Sequence, residues 1–437
     1  MQAKNAFLPD AFRRVIPTPN LSCAAWAYQV FRYCQDAFVL LVSARSGMPN
    51  IWPGPLFIHA RHRQNATTRK RTLTQPDFGP LCARHSDVLE DGGAEAAVPL
   101  VARDTNDYAT LRRIVAQARL FDKRGLAYLP RISSNLALMG LSVTLLLLLG
   151  NSWWQLLNAA LLAFTYAQLG FMVHEAGHHQ VFVKRWKNEI VGLLHANLLL
   201  GLSYSWWVDK HNRHHRFPNH AGLDPDIDFA LLAFSEKQSH AANRYVRFVV
   251  RYQAFFFFPL MLLEAFGLRL NSYRFLLRER APWSRAEWFF LALHNALYFG
   301  LIFYALSPGW ALSFFLVHQL LFGLYLSLVF APNHTGMPIL DESSELDSLR
   351  RQILTARNIK AHPVTDYLCG SLNFQIEHHL FPRVPYYRIP AVQRIVREYC
   401  ESRGIGYCET TLVEAYRAIL LHLHRASAPL RERSPGT

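Results

Sequence analysis

Four apolar runs, at 132–150, 154–173, 287–306 and 310–331, constrain this 437-residue chain more than any other feature in it. Each is close to the roughly 20 residues that a helix needs to cross a bilayer core. They come as two pairs, each joined by a tight turn: Asn151-Ser152 in the first, Ser307-Pro308-Gly309 in the second. Connections that short make the partners of each pair antiparallel neighbours. Trp153 and Trp154 at the first turn suit the headgroup layer, where tryptophan collects. Two further apolar stretches fit less well. The run 190–207 lies between two histidine clusters, which would face opposite sides if it crossed, and 245–268 is interrupted by Arg247, Arg251 and Glu264. Both are expected to be re-entrant or surface-lying.

The expected fold is therefore all-α and membrane-embedded, with four transmembrane helices and a cytosolic helical cap. The charge of +15 supports an orientation. Arg131, Lys184, Arg185, Lys187, Arg278, Arg280, Arg285, Arg350 and Arg351 fall on the histidine side of this topology, whereas the two opposite turns carry no charge. The positive-inside rule places the histidine side, and both termini, in the cytosol. No groove-reading motif accompanies the positive charge, so nucleic acid is set aside. The six cysteines form no CxxC pair and read as reduced thiols.

Residues 1–97 keep no helical or strand period. They are expected to be a poorly ordered extension, and a start codon near Val98 or Val101 is one reading of them. The membrane domain then runs over 98–424, leaving 425–437 as a flexible tail. From Asp104 towards Gly125 an amphipathic helix is expected, lying along the membrane surface, with a core or interface helix as the equal alternative. A packed helix is expected over 411–424.

Histidines carry the chemistry. His174-Glu175-Ala176-Gly177-His178 ends the second apolar run, His211-Asn212-Arg213-His214-His215 follows it, and Gln375-Ile376-Glu377-His378-His379 lies far downstream. His334 closes the last apolar run. On a helix, residues i, i+3 and i+4 share a face, so each cluster can aim its imidazoles at one point. Imidazole suits zinc, copper and iron, and eight imidazoles exceed what one ion uses, so two metal ions are the natural count. Glu175, Asp226, Asp228 and Glu377 are the candidates for orienting the rings. Trp206, Trp207, Phe229 and Phe374 are candidates for lining an apolar tunnel.

The three clusters together resemble the membrane-bound fatty acid desaturase family, whose signature is HxxxH, HxxHH and [HQ]xxHH. The Gln375 form is similar to the front-end or linoleoyl-CoA desaturase branch, which includes bacterial acyl-CoA desaturases. The resemblance spans roughly 104–424. It implies a cytosolic di-iron centre held by His174, His178, His211, His214, His215, His378 and His379, with His334 as the additional ligand. Whether Gln375 binds directly or through water stays open. No catalytic residue beyond these ligands is implied.

The same likeness implies O2-dependent insertion of a cis double bond into a long acyl chain, on CoA or on lipid. Electrons would come from NAD(P)H through a separate carrier: ferredoxin, rubredoxin, cytochrome b5 or a flavin reductase. The HPGG motif of a fused cytochrome b5 does not occur in the sequence. Localisation in a bacterial cell membrane follows from the bacterial branch. Alternatives within the family are an acyl or sphingolipid hydroxylase and a sphingolipid desaturase. Outside it, His174–His178 also fits HExxH, the zinc-protease pattern with Glu175 as base, for which Asp224 would be the further ligand. A histidine-rich metal transporter is disfavoured because no apolar run carries a ligand stripe.

Overall fold

A computed structural model describes residues 106–344 and 346–432 of the chain. The expectations for 1–97, and for the last residues from 433, lie outside the described residues. Almost everything described is helical. In chain order the main helices are α1 (Asp107–Gln117), α2 (Leu129–Leu148), α3 (Trp154–Gly177), α4 (Arg185–Leu193), α5 (Tyr204–Arg216), α6 (Gln253–Met261), α7 (Glu264–Arg278), α8 (Ser284–Ala305), α9 (Pro308–His334), α10 (Ser348–Leu354), α11 (Gln375–Leu380), α12 (Ile389–Arg403) and α13 (Leu412–Ala426). A two-residue parallel ladder pairs β1 (Asn358–Ile359) with β2 (Glu409–Thr410).

Four helices are long and apolar enough to cross a membrane: α2 with the short 3₁₀ turn before it, α3, α8 and α9. These are the four expected runs, shifted by a few residues at their ends. Because α3 is apolar all round, it sits at the centre. Some 67% of its apolar window is buried, against 17% for α2 and for α8, which present apolar side chains outward. Polar pairs supplement the packing where hydrocarbon would leave them unsatisfied. Ser142 on α2 donates to Asn158 Oδ1 on α3 at 2.8 Å, and Asn158 Nδ2 returns a bond to the Ser142 carbonyl. The two tight turns meet at one end of the bundle. There Ser307 N donates to Asn151 Oδ1 at 2.9 Å, and the Trp153 and Trp310 rings touch edge to face.

Neither ambiguous stretch makes a straight crossing. α4 continues as a π-helical segment, Leu194–Leu200, and stops at Gly201, whose φ of +70° turns the chain back. A side chain there would also run into the His294 ring, 2.4 Å from where Cβ would stand. The second stretch breaks between α6 and α7 with a 69° bend. Gly323 of α9 lies against that break, leaving only 2.8 Å between a would-be Cβ and the backbone nitrogen of Ala265.

At the end opposite the tight turns, α1, α10, α11 and α12 form a cap with its own core. That core includes Leu111, Val115, Leu349, Ile353, Phe374, Ile376, Val392 and Val396, all fully or almost fully buried. Of the two expectations for the first helix the packed one holds and the surface-lying one is corrected: the apolar stripe of α1 faces the cap, and Tyr399 Oη donates to the Asp107 carboxylate. α1 also stops at Gln117, well short of Gly125. α13 has a capping box, Thr411 with Glu414. Residues 425–432 are corrected as well, from a flexible tail to packed chain. Ser427 is buried, Leu430 packs on Ala233 and Val250, and Arg431 donates to the Arg251 carbonyl. Of the described cysteines, Cys369 and Cys400 are free thiols.

Candidate metal centre

The cap end of the bundle gathers the histidines, and local structure aims each one. His174 lies in the last turn of α3 and His178 caps it. Gly177 between them lets Trp207 approach: a Cβ there would lie 2.4 Å from the indole ring. That indole stacks on His211 with centroids 4.5 Å apart and meets His174 edge-on. α5 carries His211, His214 and His215 and is anchored at its start by Glu287 of α8. The buried Glu287 carboxylate accepts from Ser203 Oγ at 2.6 Å, Asn197 Nδ2 at 3.0 Å and Ser205 N at 3.2 Å. Ser203 Oγ in turn accepts from Trp206 N as the N-cap of α5. His334 ends α9, and Gln375, His378 and His379 come from α11.

All eight predicted histidines come together, in two adjoining groups. One ring nitrogen from each of His174, His178, His211, His215 and His378 lies within 4.8 Å of the others, and the same holds for His214, His334 and His379. In the first group the Nε2 atoms form a chain of close contacts. His178 to His211 is 2.9 Å, His211 to His215 3.0 Å, His215 to His378 2.9 Å and His378 to His174 3.1 Å. In the second, His334 Nε2 is 3.3 Å from His214 and 3.0 Å from His379.

These spacings bear on the coordination type. With metal–nitrogen bonds of about 2.1 Å, ligands at right angles stand about 3.0 Å apart, and ligands at tetrahedral angles about 3.4 Å apart. Four neighbouring pairs in the five-imidazole group stand at 2.9–3.1 Å, close to the right-angle value, and five donors exceed the four of a tetrahedral zinc site.

The protonation pattern fits a metal as well. In the second group every Nδ1 faces an acceptor. His214 Nδ1 is 3.0 Å from both Asp224 oxygens, His334 Nδ1 is 2.9 Å from the Thr355 carbonyl, and His379 Nδ1 is 2.8 Å from Gln352 Oε1. Gln352 Nε2 donates to the His215 carbonyl, which leaves its oxygen for His379. Neutral imidazoles so bonded carry the proton on Nδ1 and turn three Nε2 lone pairs on one another. Only a cation makes that convergence favourable. Burial, reinforced by neighbouring imidazoles, holds His178, His211, His215, His378 and His379 far below the ordinary histidine pKa and keeps them neutral, as ligation requires. His214 goes the other way. Burial opposes its charge, but Asp226 and Asp224 outweigh burial and raise its pKa.

Gln375 belongs to the second group. Its side-chain amide is 2.9 Å from His334 Nε2, with Oε1 accepting from Asn333 Nδ2 at 3.1 Å.

The orienting residues expected from sequence are mostly elsewhere. Glu175 forms a buried ion pair with Arg131, because one residue beyond His174 on a helix points about 100° away, here towards α2. Glu377 likewise faces the cap and accepts from Asn358 Nδ2 at 2.7 Å and Tyr407 Oη at 2.8 Å, and burial lifts its pKa to about 7. Asp228 is exposed beyond the turn Pro225–Ile227 and touches no ligand. Asp226 is near the site, paired with Lys210 and 3.4 Å from His214 Nδ1. The residues that do hold the rings are Asp224, Gln352 and the Thr355 carbonyl. In the sequence Asp224 stands out only as a possible zinc ligand, and no local spacing points to Gln352. Of the tunnel candidates, Phe374 is enclosed in the cap core. The ion-paired Glu175, turned from the imidazoles, leaves the zinc-protease reading without its base.

Comparison with known proteins gives a concordant result. The family model for fatty acid desaturase matches residues 151–411. The chain is similar to the acyl-lipid (9-3)-desaturase of Physcomitrium patens, 30% identical over 76% of this chain and 64% of that protein. It is also similar to the Delta(8)-fatty-acid desaturase of Euglena gracilis, 31% identical over 76% of this chain and 80% of that one. Fatty acid desaturase 3 of Homo sapiens is 29% identical over 74% and 73% respectively. The chain thus spans 64% of the length of the Physcomitrium patens relative and more of the other two.

Proposed function

This chain belongs to the fatty acid desaturase family, and on that footing we propose that it is an O2-dependent desaturase of long acyl chains with a histidine-held di-iron centre. The observation that carries this is the meeting of eight imidazoles, in two groups, at one end of four apolar helices. In the proposal His174, His178, His211, His215 and His378 hold one iron. His214, His334 and His379 hold the other, with Gln375 beside them. When bound, paired iron supplies what no side chain can, an oxidant for an unactivated methylene made from O2. The balance is –CH2–CH2– with O2, two electrons and two protons, giving –CH=CH– and two waters.

The chain's own residues do the positioning. Asp224, Gln352 and the Thr355 carbonyl fix three rings, and the Trp207 indole covers His211 and His174. Glu287 sets the start of the helix that carries three of the ligands. The even number of crossings brings every histidine to one side, and the basic residues of that side support a cytosolic orientation. Electrons are proposed to arrive from NAD(P)H through a separate carrier of the ferredoxin, rubredoxin, cytochrome b5 or flavin-reductase kind. Since relatives are named for Delta(5), Delta(6) and Delta(8) positions, attack near the carboxyl end of an acyl-CoA or acyl-lipid is the substrate proposal.

The test is the fatty-acid profile of a host expressing the chain. The expected product is two hydrogens lighter than its precursor, and His214→Ala should abolish it while the protein still inserts. A product gaining oxygen would favour a hydroxylase, and an unchanged profile alongside robust expression of the wild-type chain would sink the proposal.

A further inference from the structure

We propose that Arg357 is a positioning residue for the second group of ligands, acting through the helix end that carries His334. This rests on the two-metal reading above and goes beyond it. The last turn of an α-helix leaves four carbonyls without intrahelical donors, and a buried helix end must find them partners elsewhere. At the end of α9 the accounting is complete, and one residue does most of it. The Ala331 carbonyl accepts from Thr335 N. Arg357 Nε donates to the Pro332 carbonyl at 2.5 Å, Arg357 N to the Asn333 carbonyl at 2.9 Å, and Arg357 Nη2 to the Thr335 carbonyl. The remaining carbonyl, that of His334, accepts from Met337 N and from Asn219 Nδ2, both at 3.0 Å.

Arg357 is otherwise an unusual residue for its place. It is 2% exposed, and among the described residues no carboxylate lies within ion-pairing distance of it. A buried guanidinium without an acid is costly, yet here it faces the negative end of a helix dipole, where a cation is favoured. Its planar fork engages two carbonyls at once, which an ammonium does less well.

The same short segment holds the ring. Thr355, two residues before Arg357, supplies the carbonyl to His334 Nδ1. Backbone and imidazole of His334 are thus fixed by one stretch of chain, 355–357. That stretch is followed directly by β1, whose ladder with β2 ties it to the cap.

The test uses the full chain, purified in detergent and depleted of metal, with ferrous iron as the probe. Wild type should bind two Fe(II) per chain. Arg357→Met should bind one as tightly as wild type and the other about 10- to 100-fold more weakly, the range for losing a group that orients a ligand. Arg357→Lys, keeping a cation at the helix end, should fall between. A Met variant binding both irons as wild type does overturns the proposal alone. Equal weakening of both irons, with a lowered melting temperature of the metal-free protein, also overturns it, since that is a merely structural role. Wild type binding fewer than two irons overturns the two-metal reading and the proposal with it. Should the Met variant fail to fold, Arg357→Lys carries the same decision, and a Lys variant binding both irons as wild type does overturns the proposal.

Discussion

Asp224→Asn is the sharpest single perturbation of the site, because the carboxylate has no spare capacity. Three donors converge on two oxygens. Asn219 N meets Oδ2 at 2.7 Å, Asp226 N meets Oδ1 at 2.8 Å, and His214 Nδ1 is 3.0 Å from both. The amide keeps one oxygen and replaces the other with NH2, which must then face a backbone N–H or the ring. Facing a backbone N–H, it leaves a buried donor unsatisfied, at about 1–3 kcal/mol. Facing Nδ1, it stabilises the tautomer with the proton on Nε2, where the metal would bind. In either case a charge-assisted bond is exchanged for a neutral one about half as strong. Together these give roughly 2–4 kcal/mol of lost stability in the metal-free protein, and a 10- to 100-fold weaker second iron. The five-imidazole group, none of whose rings Asp224 touches, should keep its iron. Paired measurements of thermal unfolding and Fe(II) titration check this. If the variant bound both irons with wild-type affinity and desaturated at the wild-type rate, the assignment of Asp224 to His214 would be wrong.

Two other outcomes follow from the same structure. The metal-free protein should lose stability as pH falls from about 6.5, the unfolded histidine value. His178, His211, His215, His378 and His379 have lowered pKa values in the fold, so their contribution is full above that pH and is lost as pH drops towards the folded values. His214, with its raised value, contributes below about 6.5 and loses that contribution as pH rises, but it is one group against five. A melting temperature that rises from pH 7 to 5 would contradict this. Gly323→Ala places a methyl 2.8–3.0 Å from the backbone atoms of Ala265, Leu262 and Met261, none of which is a flexible side-chain tip. Overpacking of about 1–3 kcal/mol is expected, and an unchanged melting temperature would show that the α6–α7 break can yield.

Local periodicity made much of this protein legible from its residues alone. Four runs of bilayer length, two short turns and the alternation of charge about them gave the helices and their pairing. The i, i+3 and i+4 spacing within the clusters marked seven of the eight histidines, because a shared helix face is a property of a few consecutive residues, and His334 was marked by its place at the end of the last apolar run. Which ligands stand together is not such a property. His214 and His215 are neighbours in sequence yet belong to different groups, as do His378 and His379. One residue is about 100° of helix rotation, so adjacent side chains diverge and only the opposing helices decide where each lands. For the same reason Glu175 and Glu377, beside ligands in sequence, turn away from them. The residues that do fix the rings, Asp224, Gln352 and Thr355, sit in loops or short helices with no period to betray them. The end of α1 in the cap, rather than on a surface, was also a tertiary decision: an apolar stripe shows that a helix face will be covered, and the partner that covers it is set by the rest of the fold.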